Sequence, residues 1–236
     1  MQRLPRFWRY FGWVLRLFLL LLIVDLFVLA SDWPDWRRLS TGAVPKSNFI
    51  RAYEHDRINH RSWPGLRWRA VPMSRIPAHV IRAVIVAEDS RFYSHSGFDL
   101  IAFREAMDYN LSERRLAFGA STISQQTVKN MFLSPSRNPL RKWHELLITW
   151  SMERNLKKRR ILEIYLNVAE FGRGVYGVRA AAGFYWGLPV DKLNRRQGAE
   201  LAASLPSPRK HNPATRTRAF LQRTEKILYW LDQNAQ

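Results

Sequence analysis

The feature of this sequence that most restricts its fold is a long apolar stretch near the N-terminus, from Trp13 to Ala30. Its 18 residues approach the ~20 that an α-helix needs to cross the hydrocarbon core of a bilayer. Arg16 lies near one end and can extend its charge to the interface, whereas Asp25 is an unfavourable residue in hydrocarbon. The stretch therefore predicts a membrane-spanning helix.

Arginines before this stretch predict its orientation. Arg3, Arg6 and Arg9 favour a cytoplasmic N-terminus, which would place everything after Ala30 outside the cytoplasm. A cleaved signal peptide is the alternative, although the stretch is long for one and no clear Ala-x-Ala cleavage site follows it. The expected organisation is an uncleaved anchor in residues 1–30, a juxtamembrane connector in 31–75 and a domain in 76–236.

The charge of the chain is strongly positive. Its Lys and Arg residues number 38 against 19 Asp and Glu residues, and removing the four Arg and one Asp of the first thirty residues leaves a net charge of +16. Such a charge indicates an anionic partner: nucleic acid, a membrane surface or a phosphorylated substrate. We expect no nucleic acid, because no recognition motif accompanies the charge. The absence of cysteine excludes disulfides and thiolate nucleophiles.

Helix signals dominate the chain from about Ile76 onward, and no run of alternating strands occurs, so we expect a mainly α-helical domain. The segment 51–70 is rich in Arg, Trp and His, and its pattern assigns it no structure. The predicted helices begin near Pro77, Thr122, Pro139, Arg160 and Arg195, followed by an amphipathic C-terminal helix from Pro213.

An acid, Glu88, ends an otherwise apolar run. A helix from Pro77 places Glu88 on one face with Val84 and Ile85, four and three residues earlier. Burial there raises the pKa of a carboxyl group toward the range useful for proton transfer. The alternative is a glutamate at a helix end that reaches water or pairs with a nearby arginine, Arg82 or Arg91.

The segment GASTISQQTVKN, residues 119–130, carries a polar helix face. Amides on this face suit sugar hydroxyls, and an ammonium suits a phosphate. The alternative is a capping box of Thr122 with Gln125 on a solvated helix. The polar face consists of Thr122, Gln125, Gln126 and Lys129.

A second acid, Glu145, follows Arg141 and Lys142 by four and three residues on a helix that Asn138 would cap. A surface ion cluster is one interpretation, worth only ~0.3–0.5 kcal/mol per pair. The other is a site for transfer at an anomeric carbon. There one acid would take a proton from the attacking hydroxyl while cations stabilise a departing phosphate.

Five segments in this order resemble the peptidoglycan glycosyltransferases, glycosyltransferase family 51, from about Pro77 to Pro213. The resemblance implies a lysozyme-like helical fold that polymerises lipid II into glycan strands, releases undecaprenyl pyrophosphate and serves cell-wall biogenesis and cell shape. An anchor followed by a single domain further implies the type of enzyme that has no transpeptidase domain. The segments are EDSRFYSHSGFD, GASTISQQTVKN, RKWHELLITWSMERNLKKRRILEIYLN, EFGRGVYGVRAAAGFYWG and AELAASLPSPRKHNP.

The same resemblance implies roles for individual residues. Glu88 would be the base for the 4-hydroxyl of the acceptor sugar, and Glu145 would assist near the donor pyrophosphate or a divalent metal, Mg or Mn. No organic cofactor is implied. The implied substrate-binding residues are Lys129, Arg137 and Arg141 at the pyrophosphate, Thr122, Gln125 and Gln126 in the donor cleft, and Asp89, Phe92 and His95, which would shape the first motif.

The resemblance also implies a location and partners. The catalytic domain would be periplasmic on a single-pass inner-membrane anchor, with other cell-wall synthases and division proteins as partners. Residues 98–118 would dip into the bilayer; an ordinary helix core is the alternative. Two other functions stay open, a glycan-cleaving lysozyme-like enzyme and a non-catalytic cell-wall scaffold.

Overall fold

A computed structural model describes residues 6–113, 121–135 and 139–233. The chain separates into two compact units, Met1–Asp35 and Trp36–Gln236. The first contains helix α1 (Arg6–Ser31), in which Tyr10–Ser31 is long and apolar enough to cross a membrane. Few of its side chains are buried in the protein. The predicted apolar helix is therefore present and fits a membrane anchor.

The second unit consists mainly of helices, as the sequence predicts. In the described residues, the predicted helix starts do not include those of α2, α3, α5 and α9. The helices are α2 (Trp36–Ser40), α3 (Asn48–Asn59), α4 (Ala78–Glu88), α5 (Leu100–Ser112), α6 (Ile123–Phe132), α7 (Pro139–Asn155), α8 (Lys158–Val168), α9 (Val178–Trp186), α10 (Arg195–Ser204) and α11 (Arg218–Gln233).

The predicted start of the C-terminal helix at Pro213 is wrong, because α11 begins at Arg218. Asn212 holds the intervening residues in a turn: its Oδ1 accepts hydrogen bonds from the backbone nitrogens of Ala214 and Thr215, at 3.0 and 3.1 Å. An Asn side chain that satisfies these backbone donors competes with helix formation.

A small sheet accompanies the helices. Strand β1 (Arg67–Trp68) runs parallel to β3 (Val175–Tyr176), and β2 (Glu170–Gly172) runs antiparallel to β3, so the order is β1-β3-β2. Residues 36–75, for which the sequence predicts a connector, thus contribute two helices and a strand to the second unit.

The helices that carry the candidate residues pack in two groups. Helix α4 packs against α10 and α11, while α6 packs against α7 and α8. Helix α8 is largely buried, with Ile161, Leu162 and Leu166 fully enclosed. Glu88 ends α4 and Glu145 lies within α7, so the relative position of these two acids depends on how the groups meet.

A buried amide, Asn167, holds the chain before α4 against α8. Its Oδ1 accepts from the backbone nitrogen of Val71 at 2.7 Å, and its Nδ2 donates to the backbone oxygen of Val71 at 2.9 Å. Its own backbone oxygen accepts from the indole of Trp68 at 2.9 Å. Since Asn167 and Val71 are both buried, water does not replace these bonds easily.

We predict that Asn167→Ala lowers the free energy of unfolding by about 2–3 kcal/mol, because two buried backbone groups of Val71 lose their partner. Thermal unfolding followed by circular dichroism in detergent measures the loss. Asn59→Ala, at the exposed end of α3, is the control and should change stability little. Equal melting temperatures for wild type and Asn167→Ala would contradict this role.

Candidate active site

The site begins with a buried carboxylate, Asp89, which follows α4 directly. Its Oδ2 accepts from the backbone nitrogen of Ile123 at 2.9 Å, and its Oδ1 lies 2.9 Å from Nε2 of His95. Ile123 is the first residue of α6, so the carboxylate caps that helix and interacts favourably with its dipole. This bond fixes the end of α4, including Glu88, against the start of α6.

The loop after α4 is locked to the same helix start. Nδ1 of His95 accepts from the backbone nitrogen of Gly97 at 3.2 Å, and Oγ1 of Thr122 donates to the backbone oxygen of Gly97 at 2.7 Å. His95 thus joins Asp89 to the loop backbone, which is a structural role. Phe92 is fully buried, so it can support this loop but offers no surface to a substrate.

The capping box is confirmed as well. The Thr122 side chain accepts from the backbone nitrogen of Gln125 at 3.2 Å, and Oε1 of Gln125 accepts from the backbone nitrogen of Thr122 at 3.0 Å. Both side chains are buried. Capping therefore accounts for two of the four polar residues, and leaves Gln126 and Lys129 as the more accessible members of the predicted face.

The carboxylate of Glu88 is only 9% exposed and makes bonds to two distant helices. Its Oε2 accepts from Nε2 of Gln126 at 2.9 Å, and its Oε1 accepts from Nη2 of Arg223 at 2.9 Å. Burial raises the pKa of Glu88, while the Gln126 bond and the charges of Arg223 and Lys129 oppose the rise. The predicted increase in pKa is therefore present.

The local partners suggested for Glu88 are not the ones it uses. Arg91 instead binds Asp99, with its Nε 2.8 Å from Oδ2. Arg82 makes no ion pair among the described residues. Glu88 therefore pairs with Arg223, a residue of α11 that lies 135 positions later in the chain, instead of with a nearby arginine.

Lys129 connects the two acids. Burial lowers the pKa of its ammonium group; Glu145 and Glu88 raise it, and Arg141 and Lys142 lower it. The charges of both carboxylates therefore act on this one cation. Lys129 lies one turn after Gln126 on α6, and Gln126 and Lys129 line the same polar cavity.

Glu145 is 3% exposed and its Oε1 accepts a hydrogen bond from Nζ of Lys142, which confirms the predicted pairing across one turn of α7. Nε of Arg141 is buried and has no hydrogen-bond partner among the described residues. A buried guanidinium nitrogen without a partner is suited to an anionic ligand. Arg137, the third predicted cation, lies outside the described residues.

A polar cavity of about 200 Å³ opens beside Lys129. Behind it, the hydroxyl of buried Tyr165 donates to Oε1 of Gln126 at 3.0 Å, which orients the amide so that its nitrogen faces Glu88. The carboxylate of Glu170 lines the cavity and accepts from Nε of Arg209 at 2.8 Å. The cavity therefore offers hydroxyl, amide and charged groups to a polar ligand.

An apolar cavity of about 640 Å³ lies between α5 and α7 and extends to Gln125 and Lys142. Helix α5 has no buried residue, and Leu100, Ile101 and Phe103 are 75%, 61% and 54% exposed. The alternative of an ordinary helix core for this part of residues 98–118 is therefore wrong. Leu116 and Phe118 lie outside the described residues.

A three-residue cluster of possible metal ligands occurs in the described chain, formed by Asp89, His95 and Asp99. Its groups are already satisfied: Asp89 and His95 bond each other, and Asp99 accepts from Arg91 and from the backbone nitrogen of Ala102. The cluster does not fit a metal.

Two contributors to the site were missed in the sequence, Arg223 and Tyr165. Arg223 lies three residues after buried Phe220 and four before buried Ile227, so it interrupts an apolar helix face, as Glu88 does on α4. This polar residue on an otherwise apolar helix face was the sequence pattern that could have indicated Arg223 as a site residue. Tyr165 offered no comparable signal, because a tyrosine within a buried helix is common.

Comparison with known proteins decides the family. A family model described as Transglycosylase matches residues 58–232. The chain belongs to the transglycosylase family. It is therefore a glycosyltransferase, and the transglycosylase match confirms the predicted lysozyme-like helical fold.

Relatives of this transglycosylase match over most of their length. A protein of Nitrosospira multiformis is 39% identical over 94% of this chain and 95% of its own. Proteins of Nitrosomonas eutropha and an Azoarcus species are each 42% identical, over 92% and 86% of this chain and 88% and 87% of their own. All three are named biosynthetic peptidoglycan transglycosylase.

We predict that Gly97→Ala lowers the free energy of unfolding by about 2–3 kcal/mol. Gly97 has a φ of +93°, and an added Cβ would lie 2.9 Å from Cγ of Glu153 and 3.0 Å from Cγ2 of Thr149. Glu153 cannot move freely, because it accepts from Ser124 and Lys158. Thermal unfolding of the purified variant measures the effect.

The matched control is Gly183→Ala, a helical position in α9 where an added Cβ meets no atom within 4 Å. It should be neutral or stabilise the protein by about 0.5–1 kcal/mol. If Gly97→Ala melts as wild type does, the close approach of the loop to α7 is not required.

Proposed function

We propose that this chain is a peptidoglycan glycosyltransferase that polymerises lipid II into glycan strands and releases undecaprenyl pyrophosphate. The observation that carries the proposal is the bond from Gln126 to Glu88 at 2.9 Å, because Gln126 lines the same polar cavity as Lys129. The proposed base is thus linked to a cavity that contains an anion-binding group. The names of the relatives support the choice of peptidoglycan as the polymer.

Glu88 is the proposed base. Arg223 and Gln126 bind its two oxygens and favour the carboxylate, while burial raises its pKa above that of an exposed glutamate and so makes it a better proton acceptor. In the reaction, the 4-hydroxyl oxygen of the acceptor sugar forms a bond to the anomeric carbon of the donor, and its proton passes to Glu88. The configuration at the anomeric carbon inverts.

The cations of α6 and α7 act on the leaving group. When the bond from the anomeric carbon to the pyrophosphate breaks, the electron pair stays on the pyrophosphate. Lys129 and Arg141 would stabilise this charge, since Lys129 lines the polar cavity and Arg141 has a buried Nε without a hydrogen-bond partner among the described residues. Lys142 is occupied by Glu145, which makes it a supporting residue.

The lipid part of the substrate suits the apolar cavity beside α5. Exposed apolar residues of α5 and the half-exposed Trp143 of α7 form the adjoining surface. We place this surface at the periplasmic face of the inner membrane, with α1 as the anchor and the N-terminus in the cytoplasm, where Arg3, Arg6 and Arg9 would remain. Other cell-wall synthases and division proteins are proposed partners.

Glu88→Gln should reduce polymerisation by about 10²-fold or more, because the amide cannot accept the proton. The assay measures glycan formed from lipid II by the purified full-length protein in detergent, after circular dichroism has shown that the variant is folded. Glu225→Gln, a change at an exposed acid of α11, is the matched control and should keep wild-type activity.

The assay separates the candidate functions. Equal polymer from wild type and Glu88→Gln would remove Glu88 as the base. Soluble fragments released from purified cell wall, without polymer from lipid II, would indicate the glycan-cleaving enzyme. Absence of both activities in a folded wild-type protein would indicate the scaffold.

We propose that Glu145 would hold a divalent cation, Mg or Mn, which would supply positive charge to the phosphates of the substrate. Mg²⁺ should then stimulate the metal-free wild-type protein, and the stimulation should be weaker in Glu145→Gln than in the Glu225→Gln control. A magnesium titration of the polymerisation rate checks this. The same fold stimulation in all three proteins would contradict a role of Glu145 in metal binding.

A further inference from the structure

The C-terminal helix α11 delivers one cation to the proposed base. Nη2 of Arg223 donates to Oε1 of Glu88 at 2.9 Å and also to the backbone oxygen of Ala87 at 3.1 Å. One nitrogen therefore holds both the carboxylate and the last turn of the helix that carries it. The guanidinium side chain is 38% exposed, and its Nε is buried without a hydrogen-bond partner among the described residues.

The need for such a cation follows from the position of Glu88. It is the last residue of α4, where the partial negative charge of the helix C-terminus disfavours an anion. Burial disfavours the anion further. Arg223 opposes both effects, and by binding Ala87 it also satisfies one of the carbonyl groups that the end of a helix leaves without a partner.

Other groups near Glu88 do not duplicate this role. From α6, Gln126 donates a neutral hydrogen bond, and Lys129 acts on Glu88 by charge alone while it also responds to Glu145. From α8, Tyr165 is un-ionised, since burial raises its pKa well above its ordinary value. The buried acid of α10, Glu200, pairs with Arg196 and Arg216.

We propose that Arg223 is a positioning residue that holds the carboxylate of Glu88 in one orientation and in its ionised form. The proposal rests on the function proposed for Glu88. It assigns α11 a part in the reaction, although that helix lies outside the segments that carried the family resemblance. It also predicts that the activity of an Arg223 variant depends on pH in a way that a purely structural defect would not produce.

The direction of the pH effect follows from the charge. Removing Arg223 removes a group that favours the carboxylate, so the pKa of Glu88 should rise, by about 1 unit or more for a partner at hydrogen-bond distance. At a pH below the new pKa, the base is protonated and the rate falls. At a higher pH the carboxylate re-forms, and the difference from wild type should shrink.

The experiment compares wild type, Arg223→Gln, Arg223→Lys and a control, Arg218→Gln, which changes an exposed arginine of the same helix. The ¹³C resonances of labelled glutamate carboxyl groups are titrated in the full-length protein in detergent, with Glu88→Gln identifying the signal of Glu88. The expected result is an upward shift in Arg223→Gln, a smaller shift in Arg223→Lys and none in Arg218→Gln.

Polymerisation rates across the same pH range give the second readout. The acid limb should move upward in Arg223→Gln by as much as the titration does, with partial rescue in Arg223→Lys. An unchanged Glu88 titration in folded Arg223→Gln would overturn the proposal. If the Glu88 titration shifts in Arg223→Gln but wild type polymerises no lipid II, the positioning role stands and the proposed function fails. If wild type polymerises lipid II but the Glu88 titration does not shift in Arg223→Gln, the proposed function stands and the positioning role fails.

Discussion

The capping of α6 by Asp89 is the interaction on which the proposed site depends. The carboxylate accepts a hydrogen bond from the backbone nitrogen of Ile123 and also pairs with the imidazole of His95. Because Asp89 follows Glu88 directly and Ile123 begins the helix of Gln126 and Lys129, one buried side chain sets the distance between the proposed base and its neighbours. A second bond holds the loop after Asp89 against the start of α6, because Oγ1 of Thr122 donates to the backbone oxygen of Gly97.

A second feature of the site is that its acidic groups are buried in pairs with cations. Glu88 and Glu145 are both largely removed from water, and each is paired with a cation, Arg223 and Lys142 respectively. A buried charge without a partner is costly, so each pair stabilises groups that would otherwise resist burial. Lys129 is half-buried and lines the polar cavity, which leaves it available to an incoming anion.

The sequence predicted those parts of the site that depend on neighbouring residues. A helix before Glu88, the capping box of Thr122 with Gln125 and the pairing of Lys142 with Glu145 all involve residues within one or two helical turns. Helix α5 was not predicted as a helix, because its apolar residues do not form a buried face; all of them face outward or the apolar cavity. A helical period in the sequence reflects one buried apolar face, and α5 has no such face.

The sequence by itself determined the helical class, the apolar anchor, the basic charge and, through its ordered motifs, the family. Only the tertiary structure decided which groups touch. Gln126 and Arg223 meet Glu88 across 38 and 135 positions of the chain, and Asp89 meets Ile123 across 34. Spacing within a helix determines which face of the helix a residue occupies. The packing of the helices determines which residues that face contacts, and a buried polar group forms its hydrogen bonds with those residues.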